Sequence, residues 1–208
     1  MSESVFIRGV MSLVACLMLG ACVGGARIPE DNFYRLEKVA PASVLTAPAL
    51  QGILMVQGGT AAPVYRDRAL LYSESGSPER LQRYHYQYWI DSPPQLLQSG
   101  LADYLRAAGV ARQVVLPQDS VEADFRLRVD IERFEHIRGQ SGSQKGGQVA
   151  VALRITLVER DTGKLLMQTQ LQSDAAVQGG EFPAVAIAYQ QVMTELYGRI
   201  LAQLRVLG

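Results

Sequence analysis

Few residues in this chain have the type and spacing that chemistry requires. His85 and His136 belong to no metal-spaced cluster and no G-x-S-x-G setting, so each reads as a polar strand residue rather than a catalytic base. The run GQSGSQKGGQ, residues 139–148, sets Lys145 among glycines and serines as a phosphate cradle would. A P-loop, however, needs G-x-x-x-x-G-K-[ST] between a strand and a helix; here Gly146 follows the lysine and both flanks read as strands, so the run is a hairpin loop. Asp130 and Glu132, set among Arg126, Arg128 and Arg133, read as a solvated, charge-paired sheet face rather than an acid/base dyad. The densest aromatic cluster is RYHYQYWIDSPPQLL, residues 83–97, where Tyr84, Tyr86, Tyr88 and Trp89 either border a groove for an acyl chain or partner segment or serve the packing of a strand-to-helix junction. No cofactor motif, metal site or catalytic constellation emerges, and the chain reads as a non-enzyme.

Cysteine is confined to Cys16 and Cys22, which excludes a disulfide framework or a cysteine metal site in the body of the protein. What surrounds them is more telling. MSESVFIRGVMSLVACLMLGACVGG begins polar with one arginine, continues as an apolar run from Val10 to Leu19, and ends in small residues. That is the pattern of a secretory signal, too short for a membrane span of about 20 residues. Leu19-Gly20-Ala21-Cys22 resembles the lipobox of bacterial lipoproteins, in which the cysteine takes the lipid and becomes the first mature residue. Several acyl chains, at roughly 0.8 kcal/mol per buried methylene, would anchor a soluble domain firmly. Acidic and basic residues are equal at 20 each, and the signal removes one of either sign, so no basic surplus is left for nucleic acid.

The elements that must position these residues follow from periodicity. Residues 1–21 are the signal, 22–32 a glycine-rich tether, and 33–208 one domain; the apolar fraction of the whole chain, 48%, is enough to build a core. Phe33–Leu36 is a short strand, KVAPASVLTAPAL is extended and irregular, and Leu50–Gln57 is a buried strand stopped by Gly58-Gly59. Arg68–Ser75 and Arg80–Ile90 are further strands, the second with Tyr84, Tyr86 and Tyr88 on one face and His85, Gln87 and Trp89 on the other. Ser92-Pro93-Pro94-Gln95 opens a helix through an S-x-x-Q capping box, Leu97, Leu101, Tyr104, Leu105 and Ala108 form its apolar stripe, and Gly109 ends it. Phe125–Glu132 alternates strictly until Phe134 breaks parity, the mark of a bulge near Glu132 and Arg133. Strands over 149–157 and 165–172 flank a tight turn at Asp161-Thr162-Gly163, and a long amphipathic helix spans Phe182–Leu204. The fold class is α+β, with a largely antiparallel or mixed sheet of five or six strands and two main helices on it.

The order of these features resembles a known family: a lipobox, F-Y-R-L, an apolar strand, R-D-R-A-L-L-Y, Y-x-Y-x-x-W-x-x-x-P leading into a leucine-rich helix, A-D-F-R-L-R-V-D-I-E-R-F, and a C-terminal amphipathic helix. It is similar to the ABC-type transport auxiliary lipoprotein family, whose best-known members are PqiC-like. The resemblance runs from Cys22 to about Leu204, with heavier aromatic content at 84–89 than the family leads one to expect. It implies a fold like the N-terminal domain of TolB. It also implies an accessory role in lipid traffic beside an MCE-domain protein and associated membrane components. Val23 after the cysteine, in place of aspartate, implies export to the periplasmic face of the outer membrane. The expected contacts with a partner or lipid are Tyr84, Tyr86, Tyr88, Trp89 and Lys145, and self-association into a ring would suit a ring-shaped partner. The alternative is a structural lipoprotein of envelope assembly. Replacing Cys22 by Ala is expected to move the protein from the membrane pellet to the soluble fraction; membrane retention of that variant would contradict the anchor.

Overall fold

In the computed structural model, which describes residues 29–139, 146–179 and 181–207, one long strand organises everything else. Eight strands and two helices follow in chain order: β1 (Asn32–Tyr34), β2 (Leu50–Ala61), β3 (Ala69–Glu74), β4 (Ser77–Trp89), α1 (Pro93–Ala108), β5 (Ala111–Val115), β6 (Phe125–Arg138), β7 (Gln148–Glu159), β8 (Leu165–Ala176) and α2 (Phe182–Arg205). The sheet is mixed. β6 pairs antiparallel with β7 along its length, and β7 with β8. On its other side β6 is shared: Phe125–Ile131 run parallel to Leu54–Ala61 of β2, and His136–Arg138 run parallel to Tyr72–Glu74 of β3. β5 completes the β2 side, while β4 and then β1 complete the β3 side.

The parity break at Phe134 is a bulge. The register of β6 on β7 slips between Ile131 and Arg133, which lets Phe134 and the 125–131 odd residues all reach the core. The stretch between the two parallel partners is closed from the side by Tyr65, which sits in the short 3-10 turn Pro63–Arg66 and whose hydroxyl is met by the Phe134 backbone. α1 lies over β2 and β5, and α2 over β7 and β8. Their stripes interlock in one core with Leu54, Leu127, Leu153, Ile155, Leu157, Trp89 and Phe134. Pro- and Ala-rich residues 35–49 form an irregular strap fixed to the helices: Gln190 accepts from the Glu37 amide at 2.8 Å and donates to its carbonyl at 3.0 Å, and the Leu45 amide donates to the Ala108 carbonyl at 2.9 Å.

Several local expectations change in the structure. The sheet has eight strands where five or six were expected: β1 lies at Asn32–Tyr34, overlapping the short strand read at Phe33–Leu36, and β5, at five residues, is too short to show a period. Gly58-Gly59 does not end β2. The strand continues to Ala61, and Gly59 is needed because a Cβ there would fall 2.4 Å from the Asp130 Oδ1 and the Val129 carbonyl. The capping box of α1 forms only between side chains, Ser92 Oγ donating to Gln95 Oε1 at 3.0 Å, with no side-chain bond to the first-turn amides. Gly109 ends the helix as expected, in the left-handed region at φ 68°.

The wet face of β6 is not uniformly wet. Asp130 is 4% exposed, and it accepts from the Thr60 amide at 2.5 Å, the Thr60 hydroxyl at 2.8 Å and Arg128 at 3.2 Å. Burial alone would raise its pKa, but the Thr60 and Arg128 bonds outweigh that and hold the carboxyl below its ordinary value. Glu135, paired with Arg133, is likewise buried, whereas Glu132 stays at the surface with Arg154 and Gln170. Asp130→Ala is therefore expected to cost about 2–3 kcal/mol by removing the buried carboxylate that accepts from the Thr60 amide, the Thr60 hydroxyl and Arg128. Glu132→Ala is expected to change stability by less than about 1 kcal/mol. Denaturant unfolding of the two variants checks the contrast, and equal losses would refute it.

Candidate functional site

β4 does not keep the alternation its sequence shows. Tyr86 adopts φ 60°, and the two residue steps from Ala69 to Leu71 on β3 span the five from Tyr88 back to Arg83 on β4. The extra residues loop out of the ladder and reverse parity. Tyr84 and Trp89, expected on opposite faces, consequently both reach α2, through Phe182 at 4.6 Å and Tyr189 at 4.9 Å.

The four aromatics of this stretch therefore take different places. Trp89 is 1% exposed, edge-on to Tyr189 and to Phe134, so it is core and is not presented to a partner. Tyr84 is half-buried against Tyr72, ring centroids 4.3 Å apart, and its hydroxyl donates to Nδ1 of His136 at 2.9 Å. Tyr86 stands out at 39% exposure, and Tyr88 lies against Phe33 at 5.7 Å. Cys22 and Lys145 lie outside the described residues, as does most of the 139–148 loop.

Two further apolar residues are exposed on this side of the strand pair: Phe33 at 54% and Ile90 at 42%. β1 positions Phe33 by pairing parallel with β4, Asn32 opposite Gln87 and Tyr34 opposite Trp89, a register secured by the Tyr34 hydroxyl donating to Gln87 at 2.7 Å. Arg68 lies over the Phe33 ring at 5.5 Å. The signal for Phe33 was present as an aromatic in a short strand, but its exposure depends on β1 being an edge. The result is an aromatic surface with a cation at its border, suited to contact rather than to bond-making.

Behind this surface His136 is buried and closed on both ring nitrogens. With the proton on Nε2 it donates to the Gly146 carbonyl at 2.5 Å, and Nδ1 accepts from Tyr84. Burial, aided by Arg138, pulls its pKa below the ordinary 6.5, against the Gly146 bond and Glu74. Burial likewise pushes the Tyr84 hydroxyl up. His85, by contrast, is exposed on the looped-out segment. Among the described residues no group of three or more His, Cys, Asp or Glu could hold a metal ion, and no helix is long and apolar enough to cross a membrane.

Comparison with known proteins places this geometry in context. The family model described as ABC-type transport auxiliary lipoprotein component matches residues 34–201. An uncharacterized protein of Bradyrhizobium diazoefficiens, bll6063, is 24% identical over 156 residues, which are 73% of this chain but only 40% of that protein's length. Protein XCC0632 from Xanthomonas campestris has the same fold, with a TM-score of 0.72 at 18% identity over 85% of this chain and 96% of its own. A second crystal structure, of an uncharacterized protein, aligns with a TM-score of 0.59 at 14% identity over 86% of this chain and 98% of its own.

The His136 arrangement has a signed consequence. A folded pKa below the unfolded one means that the unfolded chain binds the proton first, so the stabilisation is complete above the ordinary value of 6.5 and is lost as pH falls below it. The thermal midpoint is expected to decline as pH drops from about 7.5 to about 5.5, and His136→Gln to flatten that limb. Melts across this window check it; an unchanged slope in the variant would place the titration elsewhere.

Proposed function

We propose that this chain, which belongs to the family of ABC-type transport auxiliary lipoprotein components, is held at the periplasmic face of the outer membrane by lipidated Cys22 and serves as the docking subunit of an MCE-type intermembrane lipid transport system. Its task in this reading is to bind and position, and the chemistry of transport belongs to its partners.

One observation carries the docking part. Phe33 stacks near Tyr88 on β1 and β4, Ile90 is exposed just after β4, Tyr86 stands out from the looped segment of the same strand, and β1 is the first element after the anchor segment. Tyr86 is held there in the left-handed region, which costs a non-glycine residue roughly 1–2 kcal/mol. Strain of this kind persists where a side chain must be presented in one direction, and here the side chain points to solvent. Anchoring supports the same reading, because nine residues separate Cys22 from Asn32, a reach of roughly 30 Å from the bilayer when extended.

The test is a mild-detergent pull-down of the tagged full-length lipoprotein from its own envelope, with mass spectrometry of the bound proteins. An MCE-domain protein is expected with the natural sequence and is expected to be lost with Tyr86→Gly. That variant relieves the backbone strain, so the domain should be as stable or up to about 1 kcal/mol more stable. Recovery of cell-wall or secretion components instead would favour a structural lipoprotein of envelope assembly. Unchanged capture by Tyr86→Gly would move the docking surface away from this patch.

A further inference from the structure

Among the described residues three strands of the sheet pair on one side only: β1, β5 and β8. The first two are three and five residues long, but β8 runs for twelve, Leu165–Ala176, and its register on β7 is unbroken from Met167. Long free edges are normally blunted by lysine, proline or a bulge, because their unpaired amides and carbonyls recruit further strands. The sequence of β8, LLMQTQLQSDAA, contains no proline and no basic residue, and its single charge is Asp174.

The direction of the free groups can be read from two bonds. The Val177 amide donates inward to the Gly147 carbonyl on the β7 side, whereas the Gln172 carbonyl is met from outside by Arg199 at 2.7 Å. Amide and carbonyl of a strand residue point the same way and alternate along the chain, so Gln168, Gln170, Gln172 and Asp174 turn theirs outward. Apart from Arg199 on Gln172, no partner meets these groups among the described residues.

We propose that β8 pairs antiparallel with β8 of a second copy of this chain, about a twofold axis beside Gln170, joining two eight-stranded sheets into one. Three features favour a second copy as the occupant. The contact is self-complementary: Gln168 faces Gln172 of the partner subunit across the axis, and neutral amides meet throughout the centre. The only charge is kept from its mate, since the two Asp174 residues lie roughly 27 Å apart along the paired strands. The helices also fit. With α2 lying over β7 and β8, and strands about 4.8 Å apart, the two copies of α2 come to roughly 10 Å from each other, an ordinary packing distance. Arg199 occupies one acceptor in the single chain and is displaced by a partner amide in the pair. The interface is isologous and therefore closes at two. It uses none of the residues assigned to docking, so either proposal can fail without the other.

Cross-linking of the full-length lipoprotein in its own membranes tests this. Cys16 and Cys22 are the only cysteines, so an added thiol at an exposed β8 position can be followed against the unsubstituted chain. With a mild thiol oxidant Gln170→Cys is expected to give a covalent species of twice the chain mass. Gln168→Cys and Gln172→Cys should each give at least tenfold less alone, and a strong band when produced together. Gln170→Lys, which sets two lysines face to face, should convert the detergent-extracted protein from dimer to monomer by light scattering. The proposal is overturned if the Gln170→Cys thiol reacts with maleimide yet forms no dimer, if all three positions cross-link alike, or if the adduct has the mass of a different protein.

Discussion

The fold depends on how β6 satisfies its second edge. A buried strand must have partners for its amides and carbonyls on both sides, and one side of β6 is met in full by β7. The other is met by two parallel strands that come from different parts of the chain and leave a space between them. Filling that space accounts for many of the less regular features of the molecule. The bulge at Glu132 turns Phe134 inward, Tyr65 closes the opening from the 3-10 turn, and Asp130 binds the end of β2 where its ladder with β6 runs out. Trp89 and Tyr189 then complete an aromatic layer against Phe134. A simpler sheet would need none of these residues.

The same division decides what reaches the surface. Because β3 takes only the last three residues of β6, His136–Arg138, the β3–β4 hairpin extends beyond the main sheet and needs its own support from α2. The looped-out residues of β4 provide it by sending Tyr84 and Trp89 to the same side, and Tyr86 is what remains outside. Exposure at Tyr86 and core packing at Trp89 are thus two results of a single change of parity, and the parallel β1 extends the exposed surface with Phe33.

Where an element carried its own periodicity, the sequence was legible. The stripe of Leu97, Leu101, Tyr104 and Leu105, that of Val185 to Ile200, the odd residues of β7 and even the bulge in β6 were all readable, since each is a local pattern set against a flat core surface. The candidate site was read less well because its geometry is not local. Strict alternation of Tyr84 to Trp89 is a true property of the sequence, but the positive φ of Tyr86 overrides it, and nothing in the residue type announces that conformation. Asp130 looked like Glu132 because the difference lies in Thr60, seventy residues away and three residues past the expected end of its strand at Gln57. His136 looked like His85 for the same reason: burial is conferred by Tyr84 and Gly146.

Anchoring changes what a long free edge means. In a chain that tumbles freely, a twelve-residue strand guarded by one charge near its end would meet other edges in every orientation, and its persistence would be a liability. The proposed lipid on Cys22 would confine the copies to a plane and raise their effective concentration, which strengthens a contact that also holds outside the membrane. Copies anchored in one membrane could be related by a twofold along its normal, and the antiparallel pair would meet that condition with its strands lying along the membrane plane. On the proposed reading anchoring makes such an edge tolerable, and Arg199 keeps the Gln172 carbonyl satisfied in the single chain.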